Sequence, residues 1–125
     1  MSNVPEELKY TKDHEWAKIE DNITIVGITD YAQHELGDIV YVELPEKGSD
    51  ISQGEQFGEI EAVKTVAPLN SPVSGKVVEA NTALSDNAGS INSDPYGQGW
   101  IIKIEISNPS ELEILLDASK YRELI

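Results

Sequence analysis

A chain of 125 residues with no cysteine can hold no disulfide, no thiolate metal centre and no cysteine nucleophile. Its 23 acidic and 9 basic side chains leave a net charge of −14, which repels nucleic acid and anionic membranes and favours basic faces. No apolar run approaches the roughly 20 residues that span a bilayer, and the polar start of the chain has neither an apolar core nor an arginine-rich pattern, so an intact cytoplasmic chain is expected.

Residues 16–20 and 22–28 read as a hairpin around Asp21-Asn22. Thr29 then caps a short helix that runs through Leu36 and stops at Gly37. Residues 38–44 alternate, which puts Val40, Val42 and Leu44 on one face until Pro45 ends the strand. Residues 48–54 read as turn material around Ile51. Two strands follow at 56–63 and 65–69, with Lys64 between them and Pro68 demanding a sheet edge. Gly75 follows Ser71-Pro72-Val73-Ser74 and is expected at a tight turn beside the Lys64 hairpin, where a positive φ would make a side chain costly. A strand is expected at 76–80, a long loop at 81–98, and a half-buried strand carrying Trp100, Ile102, Ile104 and Ile106. Asn108-Pro109 opens a C-terminal helix with Leu112, Leu115 and Leu116 on one stripe, and 119–124 forms a last turn.

Gly37-Asp38-Ile39-Val40-Tyr41-Val42 is echoed by Gly75-Lys76-Val77-Val78-Glu79-Ala80, which suggests two facing sheets. The expectation is a mainly β, flattened barrel-sandwich of short strands with one internal helix and a helical tail. It is read as one domain over 1–125, with a core at about 8–107 and a tail at about 108–125.

Catalytic chemistry is hard to find. His14 and His34 have no metal-ligand spacing, no nucleophile elbow occurs, and Gly97-Gln98-Gly99 lacks the setting of a dinucleotide loop. Lys64 is different. A lysine at a hairpin tip is held away from the body on stiff strands, and its flexible stem and amine suit acylation. A group tethered there can visit several sites at high effective concentration. On this geometry alone, an ordinary surface lysine remains the simpler reading.

The motifs then decide. Tyr10 with His14-Glu15-Trp16, Gly27-Ile28-Thr29-Asp30-Tyr31-Ala32-Gln33, Leu36-Gly37-Asp38-Ile39-Val40-Tyr41-Val42-Glu43-Leu44-Pro45, Val63-Lys64, Ser71-Pro72-Val73-Ser74-Gly75 and Asp94-Pro95-Tyr96-Gly97-Gln98-Gly99-Trp100 together resemble the H-protein family of glycine cleavage systems. The resemblance runs from about Leu8 to Tyr121. It implies a carrier rather than an enzyme, with lipoate attached covalently to Lys64. It further implies that the arm carries the aminomethyl group of glycine from glycine decarboxylase to an aminomethyltransferase. Dihydrolipoyl dehydrogenase then reoxidises the arm, and a lipoate ligase or octanoyltransferase installs it. Glu15 and His14, with Asp13 as a second acid, are expected to line the cleft that receives the loaded arm.

Three departures from the family pattern are visible. Ala62 stands where the family has serine, no acid lies in Thr65-Val66-Ala67-Pro68, and His34-Glu35 is shifted by one. A biotin carrier is disfavoured because no methionine flanks Lys64. A lipoyl domain of a 2-oxoacid dehydrogenase complex would lack the HEW and DPYGQGW stretches. The alternative that remains is an H-like lipoyl relay, or a carrier for another lipoyl-dependent pathway.

Overall fold

The computed structural model describes residues 3–125; Met1 and Ser2, part of the polar N-terminal stretch, lie outside it. Among the described residues nine strands form two antiparallel sheets, β1 (Lys9–Tyr10), β2 (Glu15–Glu20), β3 (Ile23–Ile28), β4 (Ile39–Glu43), β5 (Asp50–Ile51), β6 (Gln56–Ala62), β7 (Val66–Asn70), β8 (Gly75–Ala80) and β9 (Ile102–Ile106). The larger sheet has the order β1-β2-β3-β9-β8-β5 and the smaller β4-β6-β7. The sandwich is therefore as expected, but its two sheets stay open and do not close into a barrel. The echoed stretches fall one in each sheet, as β4 and β8.

Val26, Val77, Ile102 and Ile104 of the larger sheet meet Ile39, Val42, Ile60 and Leu69 of the smaller one in the main core. Alternation along each strand places these side chains inward. Val40 breaks the expected pattern. It is the extra residue of a β-bulge between Ile39 and Tyr41, so it turns outward and is 56% exposed while Ile39 is buried.

The β2–β3 hairpin forms where expected, with Glu20 opposite Ile23 and Asp21 at φ 58°, a value that aspartate tolerates. Helix α1 (Asp30–Leu36) begins at the Thr29 side chain, which accepts from Ala32 N–H, and stops at Gly37 with φ 81°. Local rules could not see the two-residue strands β1 and β5, which exist through long-range pairing. The stretch 81–98 carries a 3₁₀ turn, Thr82–Ser85, and a short helix α2 (Ser90–Ser93).

The tail departs from a single helix. A 3₁₀ segment, Pro109–Ile114, ends at Leu115 in extended geometry. Leu116 then exchanges two 2.8 Å backbone bonds with Tyr10, and helix α3 (Ala118–Leu124) starts at the Asp117 cap. The expected leucine stripe is split as a result. Leu112 and Leu115 pack on the main core, and Leu116 on a second cluster with Tyr10, Trp16, Ala118 and Tyr121.

Gly75 is not at a positive φ. It sits in β8 between Ile51 of β5 and Ile106 of β9, with no room for a side chain. A Cβ there would collide with the Glu105 carbonyl oxygen and lie 2.7 Å from Ile104 Cγ2. Gly75→Val is therefore expected to lower stability by about 1–3 kcal/mol through overpacking. Denaturant melts of the two proteins check this, and coincident curves would contradict it.

Candidate functional site

Lys64 stands in the turn between β6 and β7. Those strands are paired from Gln56 opposite Asn70 to Glu61 opposite Val66. The turn is closed by Ala62 N–H donating to the Thr65 carbonyl at 2.8 Å, and it is tied to the body by Val63 N–H donating to the Asp38 carbonyl at 3.0 Å. The tip is thus stiff. β7 is an edge strand, as Pro68 demands. Exposed Val40, Tyr41, Val63 and Val66 lie on the hairpin and on β4, which pairs with it.

Lys64 is exposed and joins none of the ion pairs found among the described residues. Its stem lies over Gly37. A Cβ on that glycine would meet Lys64 Cε at 3.3 Å and Nζ at 3.7 Å. Asn92 of α2 braces the spot, donating to the Gly37 carbonyl at 2.8 Å and accepting from Ile39 N–H at 2.9 Å.

Gly37 directly follows the last residue of α1, and a groove of about 260 Å³ runs along that helix. Tyr31, Ala32, Glu35 and Leu36 form one wall, and Ala67, Pro68 and Leu69 line it from β7. Asp13, His14 and Glu15 also line it. The three expected cleft residues therefore come together in one groove, beside the helix whose end carries the Lys64 stem.

Glu15 is buried at 2% exposure. Thr11 Oγ1 donates to its Oε1 at 2.6 Å, and Asn70 N–H donates to its Oε2 at 3.4 Å. Burial pushes its carboxyl up from 4.5 to about 8, which the two donors only partly oppose and the charge of Asp13 reinforces. At neutral pH the acid mostly keeps its proton, and a nearby cation would draw it into the ionised form. Asp13 is exposed and accepts from Asn70 Nδ2 at 3.4 Å. A second cavity of about 370 Å³, bordered by Tyr10, Pro72 and Leu115, shares Glu15 and Asp13 with the groove.

His14 has φ 70°, uncommon for a residue with a side chain. Its Nδ1 lies 2.8 Å from the Tyr121 hydroxyl, and its ring is tilted against Tyr31 at 5.0 Å. Burial lowers its pKa, opposed by Asp13 and Glu35. Trp16 is core, with its Nε1 donating to the Pro95 carbonyl at 3.0 Å. The DPYGQGW stretch thus secures the strand that starts at Glu15.

Sequence reasoning missed Thr11, Glu35, Asn70 and Tyr121. Thr11 had a local signal, a threonine two residues before an acid in a turn. Glu35 had one too, since it shares a helix face with Tyr31 and Ala32. Glu35 supplies an acid to the groove that the 65–68 stretch lacks. Asn70 and Tyr121 carried none. Among the described residues no group of three or more His, Cys, Asp or Glu could hold a metal ion, and no helix is long and apolar enough to cross a membrane.

Two open antiparallel sheets with a solvent-facing lysine on a stiff hairpin define the class, a small β-sandwich protein that holds one lysine out at a hairpin turn. The family described as glycine cleavage H-protein matches residues 8–125. The chain is 60% identical over 121 residues to the glycine cleavage system H protein of Symbiobacterium thermophilum, covering 97% of this chain and 94% of that one. It is 55% identical over 122 residues to that of Staphylococcus epidermidis, covering 98% and 97%. A crystal structure of a glycine cleavage system H protein from Mycobacterium marinum superposes with a TM-score of 0.89 at 43% identity, covering 96% of this chain and 97% of that one. The chain belongs to the glycine cleavage H-protein family.

Proposed function

We propose that this protein carries the aminomethyl group of glycine on a lipoyl arm joined by an amide to Lys64. The observation behind this is the placement of Lys64, exposed and in no ion pair among the described residues, with its stem over Gly37, the residue that follows the helix lining an acid-containing groove. The groove suits such a group: Ile28, Leu36, Ile60 and Leu69 give it an apolar lining for an aliphatic chain, and Glu15 offers a polar end. Bound there, lipoate supplies a disulfide that can accept a one-carbon amine fragment and release it elsewhere. The protein's own residues do the rest. Strands β6 and β7 hold Lys64 out to a partner, Gly37 leaves space for its stem, and the groove excludes water from a withdrawn arm. Glu15, Asp13 and Glu35 would hold an ammonium there by charge-assisted hydrogen bonds.

In this reading the decarboxylase, the aminomethyltransferase and dihydrolipoyl dehydrogenase take turns at the tip, a lipoate ligase or octanoyltransferase loads it, and the chain works as one unit in the cytoplasm. Reconstitution with glycine decarboxylase tests it. The lipoylated chain should support glycine-dependent exchange of carbon dioxide. A lipoylated chain that supports no exchange would refute the pathway, leaving a lipoyl carrier for another system.

Charge predicts how partners dock. Glu43, Glu59 and Glu61 sit on the outward face of the hairpin sheet, with Glu43 directly opposite Glu59. They belong to none of the ion pairs among the described residues. Screening length falls from about 10 Å at 0.1 M salt to 3 Å at 1 M. Affinity for the aminomethyltransferase is expected to fall by about tenfold or more between those conditions. Titration calorimetry in the two buffers reads this, and equal affinities would mean the acids serve solubility.

A further inference from the structure

Tyr121 belongs to α3, yet its hydroxyl reaches both a groove-lining residue and the cap of helix α1. It lies 2.8 Å from His14 Nδ1 and 2.7 Å from Thr29 Oγ1. The protons along this chain have one arrangement that satisfies every group. Thr29 caps α1, so its oxygen already accepts from Ala32 N–H at 3.2 Å. Thr29 is fully buried, and among the described residues its own proton has one acceptor, the Tyr121 oxygen. The Tyr121 proton is then left with His14 Nδ1. The reverse order, with Nδ1 protonated, would orphan the Thr29 proton in the interior, where unpaired donors are rare and costly.

We infer that Tyr121 is a positioning residue whose hydroxyl, oriented by the Thr29 cap, holds His14 as the neutral Nε2–H tautomer beside the groove. The His14 backbone is fixed separately, by Thr29 N–H donating to its carbonyl at 3.0 Å. Its ring is packed between Tyr31 at 5.0 Å and Tyr121 at 5.7 Å. What the hydroxyl adds is therefore the ring's protonation state. The groups facing this ring are Asp13 on its own turn, Glu15 on β2, Tyr31 and Glu35 on α1, and Tyr121 on α3. Asp13 and Glu35 favour a charged ring, while burial opposes it. The hydroxyl adds to the opposition, because it needs Nδ1 as an acceptor.

The consequence is charge selection. A cationic arm end entering the groove meets three carboxyl groups and no second positive charge, and Nε2–H remains a donor. This use rests on the carrier reading above; the ring chemistry does not.

The test starts on the full unlipoylated chain labelled with nitrogen-15. Long-range proton–nitrogen spectra should show Nε2 protonated and Nδ1 bare at neutral pH. Tyr121→Phe keeps the ring that stacks on Tyr10 at 4.7 Å and removes only the hydroxyl. It should give mixed tautomers and move the His14 titration to higher pH, while exposed His34 serves as an unmoved reference. On the loaded chain below neutral pH, Tyr121→Phe should release ammonia about 2- to 10-fold faster than wild type, the span of one neutral hydrogen bond. Nδ1 protonated in the wild type, or spectra unchanged in Tyr121→Phe, would overturn the assignment. Spectra as expected with unchanged release would overturn charge selection. A wild-type chain that accepts no lipoate would overturn the carrier reading and leave the His14 assignment standing.

Discussion

Lys64→Arg is expected to abolish lipoylation completely, with no gain in intact mass after incubation with a lipoate ligase. Arginine keeps the charge and most of the stem but cannot form the amide. The protein has seven other lysines; Lys12 also stands in a hairpin turn, but that hairpin pairs only Lys9 with Ala17 and Tyr10 with Trp16, against five paired positions below Lys64. Lys18 and Lys103 are paired with Glu20 and Glu79. Lys9 and Lys76 lie within β1 and β8, and Lys47 sits in an exposed turn ahead of the short strand β5. A modifying enzyme that reads the longer β6–β7 hairpin, rather than any hairpin turn, has one substrate. Because Lys64 is exposed, the substitution should change stability by less than about 0.5 kcal/mol, so loss of modification cannot be blamed on unfolding. Peptide mapping that finds lipoate on another lysine of the variant would sink the assignment.

Glu15→Gln is expected to stabilise the protein at alkaline pH by about 3–5 kcal/mol, while leaving it nearly unchanged near pH 4–5. The Glu15 carboxyl titrates at about 8 in the folded chain, against 4.5 for an unperturbed glutamate. Between those values the folded state keeps a proton that the unfolded state has released. Stability therefore falls as pH rises through this window and levels off above about 8. Glutamine fills the same space, can accept from the Thr11 hydroxyl, and has no charge to bury. Urea titrations of both proteins at pH 5 and pH 9 measure the difference, and parallel pH curves would contradict it. The glutamate costs the empty protein stability, which points to a use when a cation is present. Glu15→Ala loaded with the aminomethyl group should accordingly lose ammonia faster than wild type when the folate enzyme is absent. Equal rates would show that Glu15 does not hold the arm.

Much of the fold could be read from neighbours along the chain. The Asp21-Asn22 turn, the Thr29 cap, the Gly37 stop, the Pro68 edge strand and the alternation of Ile102 and Ile104 all act within a few residues, and the structure shows each of them. Gly75 shows the limit of that reading. A glycine before a strand suggested a turn, yet it is required by the Glu105 backbone passing beside it, 30 positions along the chain. The outward Val40 and the broken tail helix have the same origin. A bulge depends on the partner strand, and Leu116 leaves the helical path to pair with Tyr10.

The site divides along the same line. The sequence by itself determined the family, the lysine between two strands, and the local run of Asp13, His14 and Glu15, because motif and turn chemistry are written in adjacent residues. Only the tertiary structure decided that Glu15 is buried, that Glu35 joins it in the groove, and that Tyr121 bonds His14 from 107 residues away. Burial and long-range hydrogen bonds set the proton affinities of this groove. They are properties of what surrounds a side chain in space, which residues next to it in the chain do not specify.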